Sequence, residues 1–94
     1  MRRVMVRYKV KPDRVAENEE LVRAVYEELG RAAPEGFRYA TFRLDDGVSF
    51  VHMSMGDSPL PEISAFQRFT ENIRERCDEP PAVVELHEVG SYRL

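Results

Sequence analysis

"FRYATFRLDDGVSFVHMSM", residues 37–55, holds two runs rich in aromatic and β-branched residues, 37–44 and 48–55, on either side of Asp45-Asp46-Gly47. Asp-Gly between two such runs signals a β-hairpin, because glycine takes the positive φ that a tight turn between twisted strands requires. With Asp46 and Gly47 as the turn residues the register follows: Tyr39 faces Ser54, Ala40 faces Met53, Thr41 faces His52 and Phe42 faces Val51. Side chains alternate along a strand, so Ala40, Phe42, Leu44, Val51, Met53 and Met55 share one face. Phe37, Tyr39, Thr41, Arg43, Phe50, His52 and Ser54 share the other. The more apolar set is expected to lie beneath helices, which leaves Tyr39, Thr41, Phe50 and His52 on an open face.

Around this hairpin the chain divides by period and punctuation. Residues 3–11 alternate, sending Val4, Val6, Tyr8 and Val10 one way and Arg3, Met5, Arg7, Lys9 and Lys11 the other, which reads as a first strand. "KPD" ends it, and Asp13 is placed to cap a helix whose apolar side is Val15, Val22, Val25, Tyr26 and Leu29. Gly30, Pro34 and Gly36 close that helix and its loop. After the hairpin, "EISAFQRFTENIRERC" (62–77) returns to helical spacing with Ile63, Phe66, Phe69, Thr70, Ile73 and Cys77 on one side. "DEPP" is expected to end this second helix, and "AVVELHEV" (82–89) alternates as a fourth strand. The order β-α-β-β-α-β makes one α+β domain over 1–94: a ferredoxin-like, four-stranded antiparallel sheet with two helices on one face. An open sheet face of this kind is expected to pair with something.

Composition narrows the function classes. In a 94-residue chain about 60–65% of the unfolded surface is buried on folding, so a second subunit would help stability. No stretch approaches the roughly 20 apolar residues of a membrane-spanning helix, and no membrane partner is expected. The basic N-terminal segment alternates like a strand and lacks the features of an export signal, so the cytoplasm is the expected compartment. Residues 1–11 carry five bases and no acid, and residues 12–36 carry seven acids against three bases. With a net charge of −3, this pattern suggests internal complementarity, and no nucleic-acid partner is expected. Cys77 is the only cysteine, so it forms no internal disulfide and reads as a buried, reduced thiol. His52 and His87 are the only histidines, without clustered carboxylates, and no metal site is expected.

Two polar residues are the catalytic candidates. Asn18 falls between Val15 and Val22 on the buried side of the first helix, where it could hold a ligand oxygen or bond to nearby backbone. His52 could act as a general base, since a free imidazole titrates near pH 6.5, or serve as a hydrogen-bonding residue in an interface.

"VRYKVKPD" leading into a helix, the "DDG" hairpin, "FVHMSMGD" passing into a second helix with "FQRF", and a closing strand followed by "GSY" together resemble the dimeric α+β barrel superfamily. The nearest likeness within it is to the antibiotic-biosynthesis-monooxygenase-like group. The resemblance implies a homodimer in which the open faces of two sheets close a dimeric α/β barrel, with Tyr39, Thr41, Phe50 and His52 at the dimer face. It also implies a small-molecule cavity between each sheet and its own helices. Here that cavity is expected to be lined by Val6, Tyr8, Val22 and Tyr26, by Phe42, Val51, Met53 and Met55, and by Phe66 and Phe69, and to take a hydrophobic small molecule. Cofactor-independent members use an asparagine on the first strand, a tryptophan ending the third and a histidine on the second helix. This sequence has Val6, Met55 and Phe66 by position, and no tryptophan. Three readings therefore stand: a cofactor-independent monooxygenase-like enzyme acting on a small aromatic or polyketide-like substrate, with no cofactor; a non-catalytic carrier of such a molecule; and a structural, stress-associated dimer.

Overall fold

The computed structural model describes residues 1–94. Strand β1 (Arg3–Val10) leads through a 3-10 turn at Pro12–Arg14 into helix α1 (Val15–Ala32). The hairpin follows as β2 (Arg38–Arg43) and β3 (Ser49–Met55). Helices α2 (Ser64–Thr70) and α3 (Ile73–Arg76) then precede β4 (Cys77–Glu85). The four strands form one antiparallel sheet in the order β2-β3-β1-β4, the expected ferredoxin-like α+β arrangement. Tyr8, Val10 and Phe50 from the sheet pack with Val25 of α1 and Ala65 and Phe69 of α2 in a single core, so the helices cover one face.

The hairpin register is as expected: Tyr39 pairs Ser54, Ala40 pairs Met53, Thr41 pairs His52 and Phe42 pairs Val51. The loop is longer than two residues, since Leu44 and Ser49 close the ladder and Gly47 N–H donates to the Leu44 carbonyl at 3.0 Å. Opening the turn by one pair leaves the register unchanged, because one residue is released from each side. The Asp46 carboxylate accepts hydrogen bonds from the Val48 and Ser49 amides and the Ser49 hydroxyl. These bonds, that from the Ser49 hydroxyl foremost, hold its pKa down at about 2.

The facing of the hairpin is the reverse of the expectation. Val6 pairs His52 and Tyr8 pairs Phe50 across β1 and β3, and directly opposed residues share a face. The helix-covered side of β1 therefore carries Tyr39, Thr41, Phe50 and His52 with it. Phe42, Val51, Met53 and Met55 lie on the open side, where Phe42 is 55% and Met53 40% exposed. Apolarity alone misled, because β1 fixes the face for the whole sheet and the buried tyrosines and histidine satisfy one another.

Several boundaries also differ, and β4 ends at Glu85, four residues before the expected Val89. Asp13 lies in the 3-10 turn, and α1 starts without a side-chain cap. The second helix breaks at Asn72, whose φ of 61° is left-handed. Strand β4 begins at Cys77, five residues earlier than expected, and runs through Pro80 and Pro81. Prolines are tolerated there because β4 is an edge strand, one side of which needs no donors, and its pairing with β1 shifts register beside them.

Candidate functional site

Between sheet and helices lies a cavity of about 630 Å³. Val4, Val6, Tyr8 and Val83 line it from the sheet, Phe66, Phe69 and Ile73 from the helices, and Leu60 and Pro61 from the loop before α2. Its polar floor is Tyr8, Tyr39, His52 and Ser54. Of the residues expected to line it, Val6, Tyr8, Phe66 and Phe69 do so. Phe42, Val51, Met53 and Met55 are on the opposite face of the sheet, and Val22 and Tyr26 border a separate shallow groove with Thr41 and Arg43. Asn18 stands behind the floor, fully buried at 0% exposure.

A chain of hydrogen bonds, buried from Arg76 to His52 and half-buried from Tyr39 to Tyr26, runs along this floor. The Arg76 guanidinium, 1% exposed, donates to the carbonyls of Phe69 (2.6 Å) and Glu71 (3.2 Å) and to Asn18 Oδ1 (3.3 Å). It also lies over the Phe69 ring, 5.3 Å from its centroid. Asn18 Nδ2 donates to the Tyr8 hydroxyl at 2.9 Å, which lies 2.8 Å from His52 Nε2. On its other side, His52 Nδ1 is 2.6 Å from the Tyr39 hydroxyl and 3.2 Å from Thr41 Oγ1. Thr41 Oγ1 is 2.8 Å from the Tyr26 hydroxyl. The aromatic rings pack the chain in place: Tyr8 stacks on Phe50 at 5.6 Å and Tyr26 on Tyr39 at 5.3 Å.

Burial governs the electrostatics. His52 is 6% exposed, and desolvation pushes its pKa down to about 4, so the imidazole is neutral near pH 7. Desolvation pushes the Tyr8 and Tyr39 phenols up, opposed at Tyr8 by the Asn18 hydrogen bond and the Arg76 charge. Burial lowers the pKa of Arg76 and raises that of the buried Cys77 thiol. No three His, Cys, Asp or Glu side chains converge as metal ligands would. The arrangement offers an apolar ring a slot against Phe66 and Phe69, and offers a hydroxyl or carbonyl two phenols and a neutral imidazole.

Asn18 and His52, the candidates read from sequence, are thus joined through Tyr8. His52 is not at the open face. Arg76 was missed, because an arginine in "IRERC" reads as part of a solvated helix end. A signal existed in Asn18: a buried amide requires partners for both its oxygen and its nitrogen.

The sheet order and the helices packed on one face are those of the antibiotic biosynthesis monooxygenase-like fold. A Nitrosomonas europaea structure described as an antibiotic biosynthesis monooxygenase superposes with a TM-score of 0.76 at 17% identity, over 96% of this chain and 100% of that one. A Mycobacterium tuberculosis protein gives 0.69 at 21% identity, over 96% of each chain. An asparagine-to-alanine variant of SnoaB, a cofactor-independent oxygenase from Streptomyces nogalater, gives 0.67 at 16% identity, over 99% of this chain and 97% of that one. No family model matches the sequence, and no curated protein does. At these identities the likeness is one of fold.

Proposed function

We propose that this chain binds a small, oxygen-bearing aromatic molecule in the cavity and oxidises it with O2 without a cofactor. The observation that carries the reading is the linked set of Tyr8, His52 and Tyr39 on the cavity floor, backed by Asn18 and faced by the apolar side chains of Phe66, Phe69 and Ile73. Hydroxyl and imidazole groups held by second partners are what proton removal from a phenol or enol requires. The fold shared with SnoaB supports the same class of chemistry. In the overall reaction a ring CH2 group becomes a carbonyl. One atom of O2 enters the product, the other leaves with both hydrogens as water, and the substrate supplies all four electrons. Tyr8 takes the proton whose loss makes the substrate electron-rich, as its own proton passes to His52 Nε2. Asn18, held by Arg76, keeps the Tyr8 proton aimed at His52, and the proton stored at His52 returns through Tyr8 to the departing water.

We further propose that two copies associate through the open face, which presents Phe42, Met53 and Val84 to solvent as apolar side chains. The compartment is the cytoplasm.

One observation favours a second reading, that of a carrier without turnover: in the resting chain Tyr8, His52 and Asn18 already have internal partners. Oxygen uptake with anthrone as probe separates the two. An enzyme yields anthraquinone, and Tyr8→Phe and His52→Gln lower the rate about 10²-fold or more. Saturable binding of anthrone without oxygen uptake supports the carrier, and absence of binding overturns both.

A further inference from the structure

The polar chain has a direction, and the direction can be read from one end. A guanidinium donates hydrogen bonds and accepts none, so the Asn18 atom facing Arg76 Nε is its oxygen. The Asn18 amide nitrogen must then face Tyr8, and the Tyr8 oxygen accepts from it. That leaves the Tyr8 proton to be donated, and His52 Nε2 at 2.8 Å is the acceptor in reach. An imidazole that accepts at Nε2 and is neutral carries its proton on Nδ1, where the Tyr39 oxygen lies at 2.6 Å. Thr41 Oγ1 lies 3.2 Å from the same Nδ1 and 2.8 Å from the Tyr26 hydroxyl, so the chain continues to Tyr26.

We propose that Arg76 is a positioning residue that sets the sense of this whole chain through Asn18, holding His52 as the Nδ1–H tautomer with Nε2 free to take the Tyr8 proton. Nothing else buried in the chain has a fixed role. Hydroxyls both donate and accept, and a neutral imidazole can present either nitrogen. Arg76 has no such freedom, and it is itself pinned by the Phe69 and Glu71 carbonyls beside the break between α2 and α3. From Arg76 to His52 Nδ1 each donor points away from Arg76. A proton accepted at Tyr8 therefore moves along the cavity floor: the Tyr8 proton goes to Nε2 and the Nδ1 proton to Tyr39. The reversed sense would leave the Tyr8 oxygen with two donors and its own proton without an acceptor in the chain. The use of this sense in turnover rests on the function proposed above; the tautomer itself does not.

The test is a two-bond ¹⁵N–¹H correlation spectrum of the imidazoles near neutral pH, in which protonated and bare ring nitrogens resonate far apart. Exposed His87, the only other histidine, serves as the internal comparison. In the wild-type protein His52 is expected to show a protonated Nδ1 and a bare Nε2. Asn18→Asp keeps the shape, gives Arg76 a carboxylate and removes the only amide donor to Tyr8. Tyr8 must then donate to Asp and accept from His52, so the two nitrogen signals exchange roles. Arg76→Lys, which again can only donate, keeps the wild-type pattern, and Arg76→Met loses the exclusive Nδ1–H form. A wild-type His52 protonated at Nε2 overturns the proposal, as does an Asn18→Asp spectrum with the wild-type pattern. Neither result depends on whether anthrone is turned over, so failure here and failure of the oxygenase reading are distinct.

Discussion

His52 sits at the centre of the molecule with a partner on each ring nitrogen and almost no water, and its depressed pKa makes it a determinant of acid stability. Between about pH 6.5 and pH 4 the unfolded chain binds a proton at this imidazole that the folded chain does not. Stability from this residue is therefore full above the unfolded value and falls as pH drops through that window, by on the order of 3 kcal/mol for a shift of this size. Denaturant titrations at a series of pH values should show a steeper acid loss for the wild-type protein than for His52→Gln. Superimposable slopes would contradict the burial argument. Asn18 and His52 could be found from sequence for different reasons. Asn18 interrupts a helical apolar stripe, so its burial was legible from the 3.6-residue period. The facing of His52 depended on how β1 pairs with β3, a contact between distant segments that carries no local signal.

Among the elements, the hairpin was legible in detail because its information is local: a turn residue with positive φ and two alternating runs fix a register that even a longer loop preserves. The α2–α3 break and the early start of β4 were not. Asn72 takes the left-handed conformation within a helically spaced run, and Pro80 and Pro81 look like terminators unless β4 is known to be at the edge. The link from β3 to α2 rests on Gly56, with φ of 96°, where an added Cβ would run into the Gly36 carbonyl. Gly56→Ala is expected to lower unfolding free energy by about 1–3 kcal/mol, through a strained backbone and a displaced 36–37 loop. An unchanged denaturation midpoint would show that the loop yields freely. At the start of α2, Glu28 of α1 accepts from the Ser64 amide and hydroxyl and the Ala65 amide, which holds its carboxyl pKa below the ordinary range. Glu28→Ala should speed hydrogen exchange at these α2 amides and leave β2–β3 exchange unaltered; equal protection in both proteins would remove Glu28 from the docking of α2.

At the scale of the whole molecule the two faces of the sheet have opposite characters: the covered one holds the polar chain, the open one carries apolar Phe42 and Met53 with Arg3, Arg7 and Lys9. The antiparallel layout and the helix-covered layer could be read from the order of elements. Which residues belong to which layer required the β1–β3 pairing. If the open face meets a second copy, Phe42→Lys and Met53→Lys should shift sedimentation from dimer to monomer without moving the His52 signals, and wild-type protein that sediments as a monomer would remove the second copy from the account. The central claim is the cavity, and an NMR titration with anthrone under anaerobic conditions, where no turnover occurs, tests it most directly. The account predicts saturable shifts at Tyr8, His52, Phe66 and Phe69, with Phe42 and Met53 unmoved. Shifts confined to Phe42 and Met53, or none at any of these residues, would contradict it.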